Sequence, residues 1–205
     1  MKKTIRLSAA IRICLATLIY TTVNFATYAQ APKQPDTMTQ LLDYSRPGNA
    51  HAQLEKLAGT WLFQDAKLAF VKGTLVRKVI YYGRFYSVEM TGGKLPLPVA
   101  DGKMKEDFYQ SMQIEGFDNP KKKYITTSIN NHIGSDIQMQ TGTFDAAKQA
   151  FTYDWEDELI PGQAQKNRRV LTIIDANHYK EEFYEMHGND FVKVRELDYT
   201  KTAGQ

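Results

Sequence analysis

Phe151-Thr152-Tyr153-Asp154-Trp155-Glu156 is the stretch on which the fold turns. Side chains along a β-strand point alternately to opposite faces, so three aromatics enter one face and three polar groups the other. A helix would scatter the same residues around its circumference. Similar runs, rich in β-branched and aromatic residues, lie at about 60–65, 73–82, 84–91, 107–117, 123–131, 136–144, 166–175, 178–186 and 190–200. Turn formers separate them, among them Asn119-Pro120, Gly134-Ser135, Pro161-Gly162 and Gly188-Asn189. Between Trp61 and Tyr199 each proline (96, 98, 120, 161) falls in an expected loop, as interior ladders require. The chain therefore reads as all-β, an antiparallel meander of about ten strands. A long meander hides its edges best by closing into a barrel; an open sandwich is the alternative.

Upstream the period changes. Ala50, Leu54, Leu57 and Ala58 recur at helical spacing, Asn49 stands as a cap and Gly59 as a stop, predicting one short N-terminal helix. Within the strand region, residues 92–106 break the rhythm with Gly92-Gly93, Pro96 and Pro98. They read as a long loop, either folded over a barrel mouth as a lid or packed on the outer wall.

Residues 1–29 carry Lys2, Lys3, Arg6 and Arg12, then an apolar run from Ile13 to Val23 and small residues ending at Ala29. This is the pattern of a secretory signal peptide, and the run is shorter than the roughly 20 residues of a membrane span. The 205-residue chain has a net charge of +3, but the leader holds four of its 26 basic residues and none of its 23 acidic ones. What remains is 22 against 23, a net of −1, which removes the electrostatic case for nucleic-acid binding. The single cysteine, Cys14, also lies in the leader. A mature chain without thiols suits the periplasm or the exterior and excludes disulfides and cysteine nucleophiles. The expected organisation is a signal peptide over 1–29, a tether with a short helical turn over 30–46, a barrel over 47–201 and a tail over 202–205, with no membrane span after cleavage. The mature protein is expected as a monomer or homodimer.

Leu57-Ala58-Gly59-Thr60-Trp61 follows the helix and opens the first strand. It resembles the Gly-x-Trp signature of the calycins, the lipocalins and fatty-acid-binding proteins, whose tryptophan closes the barrel floor under a basic side chain from the last strand. A longer pattern is more specific: Pro47-Gly48, His51, Gly83-Arg84-Phe85, Gly116-Phe117-Asp118, Lys123-Tyr124, Gly142-Thr143-Phe144-Asp145 and Glu196-Leu197-Asp198-Tyr199-Thr200-Lys201. In that order these resemble the secreted bacterial family known as domain of unknown function fifteen seventy-nine, over roughly residues 47–201. The resemblance implies a calycin-like barrel and no defined activity. Two positions depart from the expected pattern. Lys201 replaces an arginine, losing the planar face that stacks on an indole, and Ser128-Ile129-Asn130-Asn131-His132 carries amides in place of a Trp-Ile-Asp-like run.

Catalytic and metal patterns are thin. Among His51, His132, His178 and His187, no two fall at spacings that bring imidazoles together, so neither a metal nor another cofactor is expected. There is no Gly-x-Ser-x-Gly elbow. Glu181 and Glu185 share a strand face about 13 Å apart, too far for a glycosidase pair, and read as solvated outer-face charges. A hydrolase using carboxylates or His132 requires one of these groups to face a pocket.

What remains is the aromatic and methionine content, in a barrel wide enough to leave interior volume. The leading expectation is a binder of a small, largely apolar or aromatic molecule. Its candidate ligand-binding residues are Trp61, Arg84, Tyr86, Met112, Tyr124, Ser128, Asn130, Met139 and Trp155. The alternative is an envelope protein-protein interaction module with a filled barrel.

Overall fold

A computed structural model describes residues 36–202. The expected signal peptide, Cys14 and the first residues of the tether lie outside the described residues, as do the last three of the tail. The chain divides into two units at Gln40 and Leu41. Asp36 caps a helix: its carboxylate accepts the Thr39 N–H at 3.0 Å and the Thr39 hydroxyl at 2.8 Å. This helix, α1, runs Thr37–Ser45, longer than the helical turn expected within the tether. Among the described residues no helix is long and apolar enough to cross a membrane.

From Leu41 onward the second unit holds α2 (Asn49–Glu55) and ten strands: β1 (Gly59–Asp65), β2 (Lys72–Ile80), β3 (Phe85–Pro98), β4 (Met104–Asp118), β5 (Lys123–Asn130), β6 (Gln138–Asp145), β7 (Ala150–Ile160), β8 (Gln163–Ile173), β9 (His178–His187) and β10 (Asp190–Lys201). Each strand pairs antiparallel with its chain neighbours, and β10 returns to β1 with Trp61 opposite Lys201 and Phe63 opposite Tyr199. The sheet is a closed barrel. Phe151 and Tyr153 are buried in it as the alternation requires, with Asp154 and Glu156 exposed.

Three expectations need correction. Asn49 is the first residue of α2, not its cap. Gly48 holds that position, and its N–H donates to His51 Nδ1 at 3.0 Å. Residues 92–106 are not one long loop: β3 runs to Pro98 and pairs with β4 as far as Pro98 opposite Met104, past a bulge between Thr91 and Lys94, which leaves only 99–103 as the connection. Nor do Pro96 and Pro98 avoid strands. The physical reason is that β2 pairs with β3 only as far as Gly92, so the far half of β3 has a free edge, where a missing N–H costs nothing.

The barrel ends differ. At one, α2 and the starts of β1, β3, β5, β7 and β9 close on an aromatic core. Trp61 meets Tyr179 edge-on at 4.6 Å, and Tyr179 stacks on Tyr199 at 4.2 Å. Phe151 packs against Tyr124 at 4.9 Å and Phe144 at 4.6 Å. Gly142 has no side chain because a Cβ there would lie 2.5 Å from Thr152 O and 2.7 Å from the Tyr153 ring. Three strand irregularities, at Thr91/Lys94, Asp157/Ile160 and Lys193/Arg195, all fall toward the other end, where bulges shape barrel rims.

Candidate functional site

At the closed end the polar contacts lash the helix down. Leu57 O accepts Trp61 Nε1 at 2.9 Å and Arg77 Nη1 at 3.2 Å. Tyr86 OH donates to His51 O at 3.0 Å, and Tyr124 OH to Ala50 O at 3.1 Å. Burial pushes both phenols up to about 12, so they remain donors at neutral pH. Arg77 grips Glu115 through two bonds, Nε to Oε2 at 2.9 Å and Nη2 to Oε1 at 3.2 Å, with both side chains almost wholly buried. Burial works against that guanidinium's charge, and the Glu115 carboxylate more than offsets it, raising its pKa.

Past this plug the interior opens into a cavity of about 480 Å³. Phe63, Phe70, Met90, Trp155, Phe183 and Leu197 supply apolar walls. Polar groups interrupt them: Ser111, Gln113, Ser128, Asn130, Gln138 and Gln140 from β4, β5 and β6. Charge is unevenly shared, since Lys72, Arg169 and Arg195 border the cavity against the single carboxylate Glu181. Arg195 leans toward the buried Asp65 at 3.8 Å. A hydrogen-bonded chain braces one wall. Ser128 Oγ donates to Gln138 Oε1 at 3.4 Å and Gln140 Nε2 to the same oxygen at 2.6 Å. Asp157 accepts from Gln138 Nε2 at 3.1 Å, Trp155 Nε1 at 2.9 Å and Asn167 Nδ2 at 2.9 Å.

Arg169 and Glu181 sit at the boundary between plug and cavity, 3% and 2% exposed. Arg169 Nη1 donates to Glu181 Oε1 at 3.3 Å, and Tyr199 OH donates to Glu181 Oε2 at 2.8 Å. The guanidinium also lies over the Tyr153 ring at 4.7 Å. Desolvation opposes its charge, but the neighbouring Glu181 carboxylate overcomes this and holds the pKa above the ordinary value. Arg169 Nε and Nη2, Gln113 Oε1 and Gln140 Oε1 are buried without a hydrogen-bond partner. Buried polar atoms are seldom left so, at roughly 1–3 kcal/mol each.

The sequence-based candidates divide three ways. Ser128, Asn130 and Trp155 border the cavity. Trp61, Tyr86 and Tyr124 are buried in the plug, outside the cavity. Trp61 takes the floor position with Lys201 Nζ 5.1 Å over its ring, so lysine occupies the place of the expected arginine. Arg84, Met112 and Met139 lie away from both cavity and plug, a correction to the expected inward placement. Arg84 lies in the exposed turn before β3, its Nε donating to Tyr81 O at 3.4 Å. Met112 and Met139, 46% and 61% exposed, point outward because their strands place Gln113 and Gln140 inside. Glu181 is likewise not a solvated outer-face charge; it lies between Tyr179 and Phe183 on the inner face. Glu185 shares that face and is half-exposed beside His187 Nε2 at 3.3 Å.

His132 borders the cavity at its rim, 6.5 Å edge-on to Tyr109. Glu181 is spent on Arg169 and Tyr199, which leaves it poorly placed to shuttle a proton. Among the described residues no three His, Cys, Asp or Glu side chains group as metal ligands. Arg169 and Glu181 were legible only by counting back two from Leu171 and forward two from Tyr179, because their charge argued for the outer face. No curated protein matches this chain. The family model described as Protein of unknown function (DUF1579) matches residues 46–201, about three-quarters of the sequence, and the chain belongs to that family.

Proposed function

We propose that this is an exported binding protein whose barrel takes a small molecule, apolar or aromatic in its body, through the open end. The observation that carries this reading is the contrast within one barrel, a packed plug beside a cavity of about 480 Å³. That volume lies in the range of roughly 300–1,000 Å³ common to small-molecule sites, and its apolar walls with few polar groups are the usual composition. The Gly59-x-Trp61 floor under Lys201 supports a calycin-like comparison, and the leader supports the periplasm or the exterior. Binding of a neutral fluorescent probe, N-phenyl-naphthylamine, is the direct test. Enhanced emission with quenching of Trp155 is expected, and no change in either would end the proposal.

One observation favours a second reading, an interaction module. Met112, Ile114, Ile129 and Met139 are exposed on β4, β5 and β6, with Met112 opposite Ile129 and Met139 opposite Thr127. Such a strip can seat another protein, and a second copy of this chain is the first partner to test. Sedimentation across concentration should then show a dimer that Ile129→Lys abolishes. A monomer at all concentrations would sink the homodimer.

A further inference from the structure

Three arginines of this barrel show how a guanidinium is used, and one has two of its three nitrogens to spare. Arg77 holds Glu115 through Nε and Nη2, at 2.9 and 3.2 Å. Arg168 holds Asp154 through the same edge, at 2.7 and 3.2 Å. In each case two parallel N–H groups meet the two oxygens of one carboxylate, the fork that fits guanidinium to planar acids. Arg169 differs. It spends Nη1 on Glu181 and leaves Nε and Nη2, that same edge, buried and without a partner on a residue that borders the cavity.

From this we infer that the cavity's guest is an acid, its carboxylate seated on the Nε–Nη2 edge of Arg169 and its apolar body against Phe63, Trp155 and Phe183. The inference rests on the cavity being a binding site, as proposed above. Charge agrees with it. A carboxylate brought beside Glu181 meets repulsion, but Lys72 and Arg169 border the cavity with it, and Arg195 lies there against Asp65. The low-dielectric surroundings strengthen a charged fork relative to water. Gln113 Oε1 is also without a partner, and its amide can rotate to present N–H to the same guest. Aliphatic and aromatic acids share this chemistry, and the test separates them.

The experiment compares matched pairs on the purified protein at neutral pH: decanoate against decanol, and naphthoate against naphthol, each displacing N-phenyl-naphthylamine. The acid of at least one pair is expected to bind about tenfold to a hundredfold tighter than its alcohol, the scale of a charge-assisted fork. Which pair shows it tells an aliphatic from an aromatic body. In Arg169→Gln the ratio of acid to alcohol binding should fall to about one, whatever the variant does to both. Arg169→Lys, which keeps the charge and gives up the fork, should lose most of the preference. Equal binding of acid and alcohol in the unaltered protein overturns the inference and leaves the cavity reading standing. Probe, acids and alcohols all failing to bind overturns both. A preference that survives Arg169→Gln places the acid elsewhere and overturns the assignment. Should both variants fail to fold, arginine Nε–H resonances of the unaltered protein decide. A buried one shifting with the preferred acid and not with its alcohol is expected, and no shift with either counts against the fork.

Discussion

The two tryptophans stand at opposite ends of the barrel and are held in opposite ways. Trp61 is 1% exposed, bonded to Leu57 O and wedged against Tyr179 beneath Lys201. Trp155 is half-buried, bonded to Asp157 and facing a cavity. The same residue type thus serves closure at one end and leaves a wall at the other. Close packing and open volume are separated along the barrel axis: the plug fixes α2 and the strand starts, which frees the open end to keep volume and unsatisfied polar atoms.

The sharpest way to break this contrast is to truncate each tryptophan. Trp61→Ala should cost about 3–5 kcal/mol, the range for large aromatic truncations in a packed core. Trp155→Ala should cost no more than about 2 kcal/mol, since a cavity already borders it, and should weaken probe binding instead. Urea denaturation of both variants checks the pair, and equal losses would mean that the two ends are not energetically distinct.

The buried ion pair of the plug offers a second break. Glu115→Gln leaves Arg77 charged and half-satisfied in a site without water access, and should lose about 3 kcal/mol by the same measurement. Arg77→Met with Glu115→Leu should recover much of it, because removing both charges also removes the desolvation penalty. A double variant no better than the single one would show that the Arg77 bond to Leu57 O, and not the pair, holds the helix exit.

How much of this division was legible beforehand follows from what alternation reports. Phe151, Tyr153 and Trp155 announced their face because polar neighbours flanked them, and the ten-strand meander followed from such runs and the turns between them. Alternation does not say which face is inside when both are mixed. Arg168 and Arg169 are identical in type; Arg168 lies on the outside with Asp154 while Arg169 is buried, and only the register with Leu171 tells them apart. Met112 and Met139 looked like core by type but share their strands with inward Gln113 and Gln140. The prolines at 96 and 98 suggested a loop because the short reach of β2, which frees their edge, is a property of the assembled sheet.

Acid should loosen the plug before the rest. His51 is buried, and its Nδ1 accepts the Gly48 N–H that begins α2. Burial lowers its pKa below the ordinary 6.5, so the folded state favours the neutral ring. Its contribution is therefore complete above pH 6.5 and is lost as pH falls from there through the folded value, with a slope of at most about 1.4 kcal/mol per pH unit for one proton. Carboxylates whose pKa the fold lowers, such as Asp118 and Glu196, lose their contribution only below ordinary values of 3.8 and 4.5. Denaturation between pH 7.5 and about 5 thus stays clear of these carboxylates, and the variant assigns the slope. His51→Gln should flatten the profile there; a slope unchanged by that variant would assign the effect elsewhere.

The smallest effect concerns Lys201. Its ammonium lies over the Trp61 ring, and its stem passes so close to Gly59 that a Cβ there would stand 2.7 Å from Cε. Gly59 also holds φ +127, so this one residue makes both the turn into β1 and the channel for the lysine. A cation above an indole is worth about 0.5–1 kcal/mol where partly exposed. Lys201→Ala should lose that amount, a fall of roughly 2–4 °C in Tm per kcal/mol for a chain of this size. Lys201→Arg should hold or slightly raise Tm, because a planar guanidinium can stack where an ammonium only points. Gly59→Ala should cost more than either, since it strains the turn and pushes the cation off the ring together. If Lys201→Ala proves neutral while Gly59→Ala still destabilises, the glycine is there for the turn alone, and the floor of the barrel is closed by Trp61 without help from the last strand.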